Sequence, residues 1–174
     1  MGDIETASPG ADFTDPEPFE MDAAGQHLAF YPGGEARRKA LFDLVAGARK
    51  SLDVCFYIFA EDTVSTQFRD ALVAAARRGV RVTLIVDRFG ADATDAFLQP
   101  LVEAGGEFLC FSAKWTRRYL IRNHQKMVIA DGRKAMFGGF NIADDYFAPP
   151  AENGWNDLGI VIEGSAVEGL NDWY

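Results

Sequence analysis

From residue 35 onward, segments with the 3.6-residue spacing of a helix alternate with short runs that are almost entirely apolar. The predicted helices are 34–50, 64–78 and 95–104, and the predicted strands are 51–59, 80–87, 107–111 and 158–164. The first helix is expected to hold Arg37 and Arg38 away from its apolar face. A hairpin is predicted over 126–138, because Asp131-Gly132 is a strong turn signal between two apolar runs. Strands that alternate with helices favour right-handed crossovers, so we expect an α/β fold with a mixed, largely parallel β-sheet flanked by helices on both faces.

The acidic residues of the chain are concentrated at its N-terminus. The net charge is −9, yet residues 1–25 alone hold seven Asp and Glu side chains and no Lys or Arg, so the remainder is close to neutral. This stretch also contains three prolines and little apolar periodicity. Such a segment cannot bury enough surface to offset the entropy that ordering costs. We therefore predict a disordered acidic tail over 1–25 and one folded domain over 26–174.

Residues able to handle a phosphate ester cluster between positions 123 and 141. In a strand that begins near residue 124, alternation places His124 and Lys126 on one face, about 6 to 7 Å apart. Asn141 follows Gly138 and Gly139, whose lack of side chains lets the backbone approach a ligand closely. An uncharged imidazole is a nucleophile at neutral pH, and an ammonium and a carboxamide can stabilise charge that grows on phosphate oxygens. These residue types together suit the displacement of a phosphodiester.

Two further features of the sequence support this chemistry. A basic segment precedes and includes the site, and its field would attract an anionic headgroup or backbone phosphate. Its members are Lys114, Arg117, Arg118, Arg122 and Lys126. A catalytic imidazole also needs an acceptor that orients its second nitrogen, and Asp157, which opens the last predicted strand, is the candidate. Each motif alone would be weak, and the prediction rests on their joint spacing.

The spacing resembles the signature of the phospholipase D superfamily: His-x-Lys, four residues, Asp, six residues, and a Gly-rich turn that ends in Asn. The stretch 123–147 is similar to the bacterial cardiolipin synthase branch, in which Gly-Gly-x-Asn-Ile and a nearby Asp-Tyr pair are typical. The order of the upstream segments, and Trp155-Asn156-Asp157 before a short strand, continue the resemblance over about 26–174. Position 139 is Gly, as in that branch, where much of the superfamily has Ser.

The resemblance implies a ping-pong reaction that needs no metal and no cofactor. The histidine of one motif attacks phosphorus to form a phosphohistidine, and the histidine of the other protonates the leaving group. His124 would then be nucleophile or acid, oriented by Asp157. The implied phosphate-binding residues are Lys126, Gly139 and Asn141. Asp131 belongs to the catalytic signature, but we expect it to brace the hairpin rather than to touch substrate.

The chain carries one such motif, whereas the resemblance implies an active site that requires two. His27 has no Lys two residues later and does not complete a second motif. Our first hypothesis is the N-terminal half of a cardiolipin synthase-type phosphatidyltransferase that acts on a phosphatidylglycerol-like phospholipid. The end of the chain within a helical pattern, at Trp173-Tyr174, favours this reading.

The alternatives are a homodimeric phosphodiesterase or nuclease and a non-catalytic phosphate-binding module. Nucleic acid is the less favoured substrate, because the predicted domain is close to neutral. The sequence has neither the pattern of a signal peptide nor a run of about 18 apolar residues that would cross a membrane. We expect a protein that is cytoplasmic or peripheral to the inner membrane.

Overall fold

An eight-stranded sheet organises the protein in the computed structural model, which describes residues 14–87, 90–111 and 124–174. The strands are β1 Phe19–Ala23, β2 Gln26–Tyr31, β3 Ser51–Phe56, β4 Arg81–Asp87, β5 Glu107–Phe111, β6 Met127–Ala130, β7 Lys134–Gly138 and β8 Gly159–Glu163. The helices are α1 Gly34–Gly47, α2 Thr63–Arg77, α3 Asp95–Glu103 and α4 Ala166–Trp173. Two 3₁₀ turns, Asp144–Tyr146 and Pro150–Glu152, lie between β7 and β8.

The strand order across the sheet is β1-β2-β8-β7-β6-β3-β4-β5. Parallel pairing is confined to β3 with β4 and β4 with β5, where α2 and α3 carry the chain back over the sheet. The other neighbouring pairs are antiparallel. The mixed α/β class is confirmed, but parallel pairs do not dominate as predicted. The reason is that α1 joins β2 to β3, and β8, β7 and β6 lie between these two strands.

Helices cover both faces of the sheet, as predicted. The larger apolar cluster lies under α1, α2 and α3 and includes Val54, Phe56 and Leu84 from the sheet. The smaller cluster lies on the opposite face, where Val167 of α4 packs on Ile129. All four residues of β6 are buried, because successive side chains of this central strand enter the two clusters in turn.

The hairpin β1–β2 corrects the predicted disorder of residues 1–25. Residues 1–13 lie outside the described part of the chain, but β1 falls within the predicted tail and pairs along its length with β2. Ala24 and Gly25 turn the chain with φ values of 51° and 75°, and the rings of Phe19 and Phe30 stack with centroids 4.6 Å apart. Because most side chains of β1 are exposed, backbone pairing holds this strand and the apolar pattern does not reveal it.

Candidate active site

One end of the sheet gathers four segments that are distant in sequence. Register pairs Cys55 with Met127, Met127 with Phe137, and Gly138 with Gly159. The residues just after β3 and β7 therefore meet the residues just before β6 and β8. These segments carry five of the predicted site residues, namely His124, Lys126, Gly139, Asn141 and Asp157.

His124 and Lys126 form a contacting pair at this end. The Lys126 ammonium lies 3.1 Å from Nδ1 and 3.3 Å from Nε2 of the His124 ring, and it donates to the His124 carbonyl at 3.0 Å. His124 is exposed, whereas only 8% of Lys126 is exposed. Strand β6 begins at Met127, later than the predicted start near residue 124. The pair therefore meets because the lysine side chain folds back on the imidazole, not through strand alternation.

The environment of Lys126 disfavours its own charge. Burial lowers the pKa of its ammonium, and the negative charge of Asp157 and the neighbouring Cys55 oppose that effect only in part. A buried cation with incomplete compensation gains more from an incoming anion than a hydrated one does. Lys126 is thus suited to hold a phosphate oxygen next to the imidazole.

Asn141 is almost fully buried, with 2% exposed, and it braces the site. Its Oδ1 accepts a hydrogen bond from the Ile58 N–H at 2.9 Å, and its Nδ2 donates to the Tyr146 hydroxyl at 2.9 Å. A carboxamide nitrogen carries two hydrogens, so one remains for a ligand. The predicted phosphate donor is therefore also a link between the ends of β3 and β7.

Gly139 makes room for the carboxylate of Asp157. A Cβ atom at position 139 would lie 2.5 Å from Oδ1 of Asp157, too close for any contact. Among the described residues, this carboxylate accepts from the N–H of Leu158 at 2.6 Å and makes no hydrogen bond to His124. Within the described residues, no hydrogen bond therefore supports the predicted role of Asp157 in orienting the imidazole.

Arg37 links the segments around the site through its guanidinium, a role that was not predicted from the sequence. It is fully buried and donates to the carbonyls of Pro32 at 2.8 Å and Asp157 at 2.6 Å, and also to that of Tyr146. Burial lowers the pKa of the guanidinium, against the raising effect of the Asp157 charge. The prediction that Arg37 points away from the apolar face is wrong. Position 37 lies four residues before Leu41, one helical turn away on the same face.

Asp131 lies at the far end of β6, roughly 17 Å along the strand from Lys126. Its carboxylate accepts hydrogen bonds from the N–H groups of Arg49, Lys50 and Ser51 at 2.6 to 3.1 Å. Burial raises the pKa of Asp131, but these three donors and the Lys50 charge outweigh that effect and lower it overall. These hydrogen bonds link the hairpin to the start of β3, at a distance from the imidazole.

Tyr57 contacts His124 and Lys126 and was not predicted. Its ring centroid lies 4.6 Å from that of His124, and it directly follows β3. The only signal in the sequence was its position at the end of an apolar run.

The predicted basic segment cannot be placed around the site. Four of its members, Lys114, Arg117, Arg118 and Arg122, lie within 112–123, outside the described residues.

A helix-covered mixed sheet with a His-x-Lys pair and a Gly-Gly-x-Asn turn at one end defines a domain suited to phosphate esters. Residues 41–167 match the family model described as cardiolipin synthase, PLD-like domain, and the chain belongs to this family. Cardiolipin synthase A of Pseudomonas entomophila is 34% identical over 81% of this chain and 32% of its own length. The major cardiolipin synthase ClsA of Bacillus subtilis is 32% identical over 80% of this chain and 31% of its own. The chain thus spans about a third of the curated relatives that it matches.

Two solved structures share the fold. Nuc from Salmonella typhimurium, a phospholipase D family member, superposes with a TM-score of 0.62 at 22% identity and covers 90% of this chain and 91% of its own. NucT from Helicobacter pylori gives a TM-score of 0.67 at 15% identity and covers 86% and 92%. At these identities the comparison establishes the architecture alone.

Proposed function

We propose that this chain supplies one motif of a cardiolipin synthase-type phosphatidyltransferase, with His124 as the residue that carries the phosphatidyl group. The observation that carries the proposal is the contact of 3.1 Å between the His124 imidazole and the largely buried Lys126 ammonium. A nucleophile and a poorly hydrated cation are thereby held within the span of one phosphate group. Membership of the cardiolipin synthase family supports a phospholipid of the phosphatidylglycerol type as substrate.

In the proposed first step, a ring nitrogen of His124 attacks phosphorus and forms the P–N bond. The P–O bond to the leaving alcohol breaks, and the leaving oxygen takes a proton from the histidine of a second motif. In the second step an acceptor alcohol attacks phosphorus, the P–N bond breaks, and the proton of the acceptor returns to that second histidine. Lys126 and the free hydrogen of the Asn141 carboxamide stabilise the charge on the non-bridging oxygens in both steps.

The second motif must come from elsewhere. The chain has two histidines, and His27, the other one, lies on β2 with its Nδ1 2.9 Å from the carboxylate of Asp22. It therefore contacts a surface carboxylate and lacks a Lys at the second position after it. Its position makes His27 the matched control for any substitution of His124.

Contact with the lipid substrate is proposed to be peripheral, at the inner membrane. In the described parts of the chain the longest helix has 15 residues, and none has the length and apolarity that a bilayer crossing demands. Residues 14–174 hold 23 acidic and 17 basic residues, and this net negative charge disfavours a nucleic acid, whose binding depends on many cationic contacts.

The experiment compares wild type, His124→Ala and His27→Ala in turnover of phosphatidylglycerol and of bis-p-nitrophenyl phosphate, over a range of protein concentrations. We expect His124→Ala to lose at least about 10³-fold of any wild-type turnover and His27→Ala to retain it. A labelled substrate should leave an acid-labile, base-stable phosphoryl adduct on wild type and none on His124→Ala. Equal turnover by His124→Ala would exclude this site.

The second candidate is a homodimeric phosphodiesterase. The single His-x-Lys motif favours it, because two identical copies would supply the two motifs that the reaction requires. Two copies that complete one site should show the mass of a dimer in solution and a specific activity that rises with concentration. A monomer without turnover on either substrate contradicts the homodimer and supports a second motif outside this chain. Phosphate binding by such a monomer, without an adduct, would indicate a binding module.

A further inference from the structure

The ring of Tyr57 contacts both members of the catalytic pair. Its centroid lies 4.6 Å from the centroid of the His124 imidazole, with 49° between the two planes. The Lys126 ammonium lies 5.6 Å from the same centroid. Both separations fall in the ranges at which aromatic pairs and cation–π contacts are favourable. One aromatic side chain thus faces the predicted nucleophile and the predicted phosphate-binding cation together.

The backbone fixes where this ring lies. Tyr57 follows the last residue of β3, and the next residue, Ile58, is held through its N–H by Asn141 and through its carbonyl by Ile142 at 3.2 Å. On the other side, a Cβ at Gly90 would lie 2.6 Å from the Tyr57 carbonyl oxygen and 2.8 Å from its ring. Because position 90 is glycine, the backbone there, after β4, can pack closely against Tyr57.

We propose that Tyr57 is a positioning residue, whose aromatic face sets the orientation of the His124 imidazole and the place of the Lys126 ammonium. This inference rests on the proposed role of His124. It assigns to an aromatic ring the task that the sequence analysis had given to the carboxylate of Asp157. Orientation matters because in-line attack requires the nitrogen lone pair to point at phosphorus, and a misplacement of about 1 Å can cost about 100-fold in rate.

The first test needs no turnover. Because the chain has two histidines, the proton NMR signals of the His124 ring can be assigned with His124→Ala, and His27 serves as an internal reference. We expect cross-relaxation between the rings of Tyr57 and His124 in wild type. In Tyr57→Leu the His124 Hε1 signal should move toward that of a solvated histidine while the His27 signal stays. An unmoved His124 signal in Tyr57→Leu, or absent cross-relaxation in wild type, would overturn the proposal.

The second test measures turnover of bis-p-nitrophenyl phosphate. It uses the form of the protein that shows turnover, either the homodimer or this chain together with a second motif. We expect Tyr57→Leu to lower kcat by about 10- to 100-fold with KM within about threefold, and Tyr57→Phe to restore kcat to within about threefold of wild type. Phe42→Leu, at a half-buried aromatic residue on α1, should leave kcat unchanged. Equal losses in Tyr57→Phe and Tyr57→Leu would assign the role to the hydroxyl and refute the proposal. Full turnover by His124→Ala would refute the proposed function instead, whereas the NMR result reports on Tyr57 independently.

Discussion

A buried ammonium costs folding free energy, and Lys126 keeps one next to the imidazole. We expect Lys126→Met to raise the free energy of unfolding by about 1 kcal/mol, because methionine fills a similar volume without a charge to desolvate. The same variant should bind inorganic phosphate more weakly in a titration that follows the His124 NMR signal. Lys39→Met is the control, since Lys39 is exposed and pairs with the exposed carboxylate of Asp43 at 2.6 Å. Urea unfolding and a phosphate titration measure the two effects, and a less stable Lys126→Met would contradict this account.

The stability difference between Lys126→Met and wild type should also depend on pH. Because the folded state lowers the pKa of Lys126 below its ordinary value of 10.5, the cost of its charge is present at neutral pH. It disappears as the pH rises through the folded pKa toward 10.5, where both the folded and the unfolded chain lose the proton. Unfolding at pH 7 and near pH 10 should therefore show a shrinking advantage for the variant.

Asp131 should affect stability and leave phosphate binding unchanged. The folded state lowers its pKa below 3.8, so its contribution is present above that pH and is lost as the pH falls through the folded pKa. We expect Asp131→Asn to reduce the free energy of unfolding at pH 7 by about 1 to 2 kcal/mol, since three backbone N–H groups lose a charged acceptor. This difference should vanish in acid. Asp43→Asn is the control, and an effect of Asp131→Asn on phosphate affinity would contradict its placement away from the site.

At the scale of single elements, two glycines should respond to alanine with opposite signs. Gly169 lies inside α4, and an added Cβ there meets nothing within 4 Å. Gly169→Ala should raise the free energy of unfolding by about 0.5 to 1 kcal/mol, because alanine restricts the unfolded chain and favours a helix. Gly138 ends β7, and a Cβ there would collide with the Leu158 carbonyl, so Gly138→Ala should destabilise by more than about 2 kcal/mol. Thermal melts of the two variants measure both effects, and Tm shifts in the same direction would contradict this prediction.

Most elements were predictable because their side chains follow one period. Helix α2, predicted over 64–78 and found at Thr63–Arg77, buries a continuous apolar stripe. The Asp-Gly turn correctly predicted the hairpin β6–β7. Strand β1 was missed because backbone pairing, not side-chain burial, holds it. The parallel content was overestimated because periodicity identifies strands but not which strands lie side by side.

The site shows the same division between local and distant information. The contact of His124 with Lys126 was predictable from spacing because they are two residues apart. Arg37 was misplaced because a cation one helical turn from Leu41 was assumed to seek solvent, whereas carbonyls from three segments accept hydrogen bonds from its two terminal nitrogens. Tyr57 carried no motif, and only the pairing of β3 with β6 brings it to the imidazole.

For the molecule as a whole, the proposed two-motif mechanism predicts that turnover by this chain alone comes from paired copies, because each chain carries one His-x-Lys motif. We expect a ninefold excess of His124→Ala chains to lower any turnover of wild-type chains by about tenfold, because few wild-type chains then meet a wild-type partner. An equal excess of His27→Ala chains should leave it unchanged. Undiminished turnover in the first mixture would show that a single chain completes the site.

The way the site is stitched together also bears on when it forms during folding. The His124–Lys126 contact spans two residues, whereas Asn141 reaches Ile58 across 83 positions and Arg37 reaches Asp157 across 120. Contacts that close such long loops form late, because their entropic cost must be met before they stabilise anything. A refolding chain should thus recover its helical signal first and acquire affinity for phosphate only in the last phase, which makes phosphate binding a reporter of completed folding.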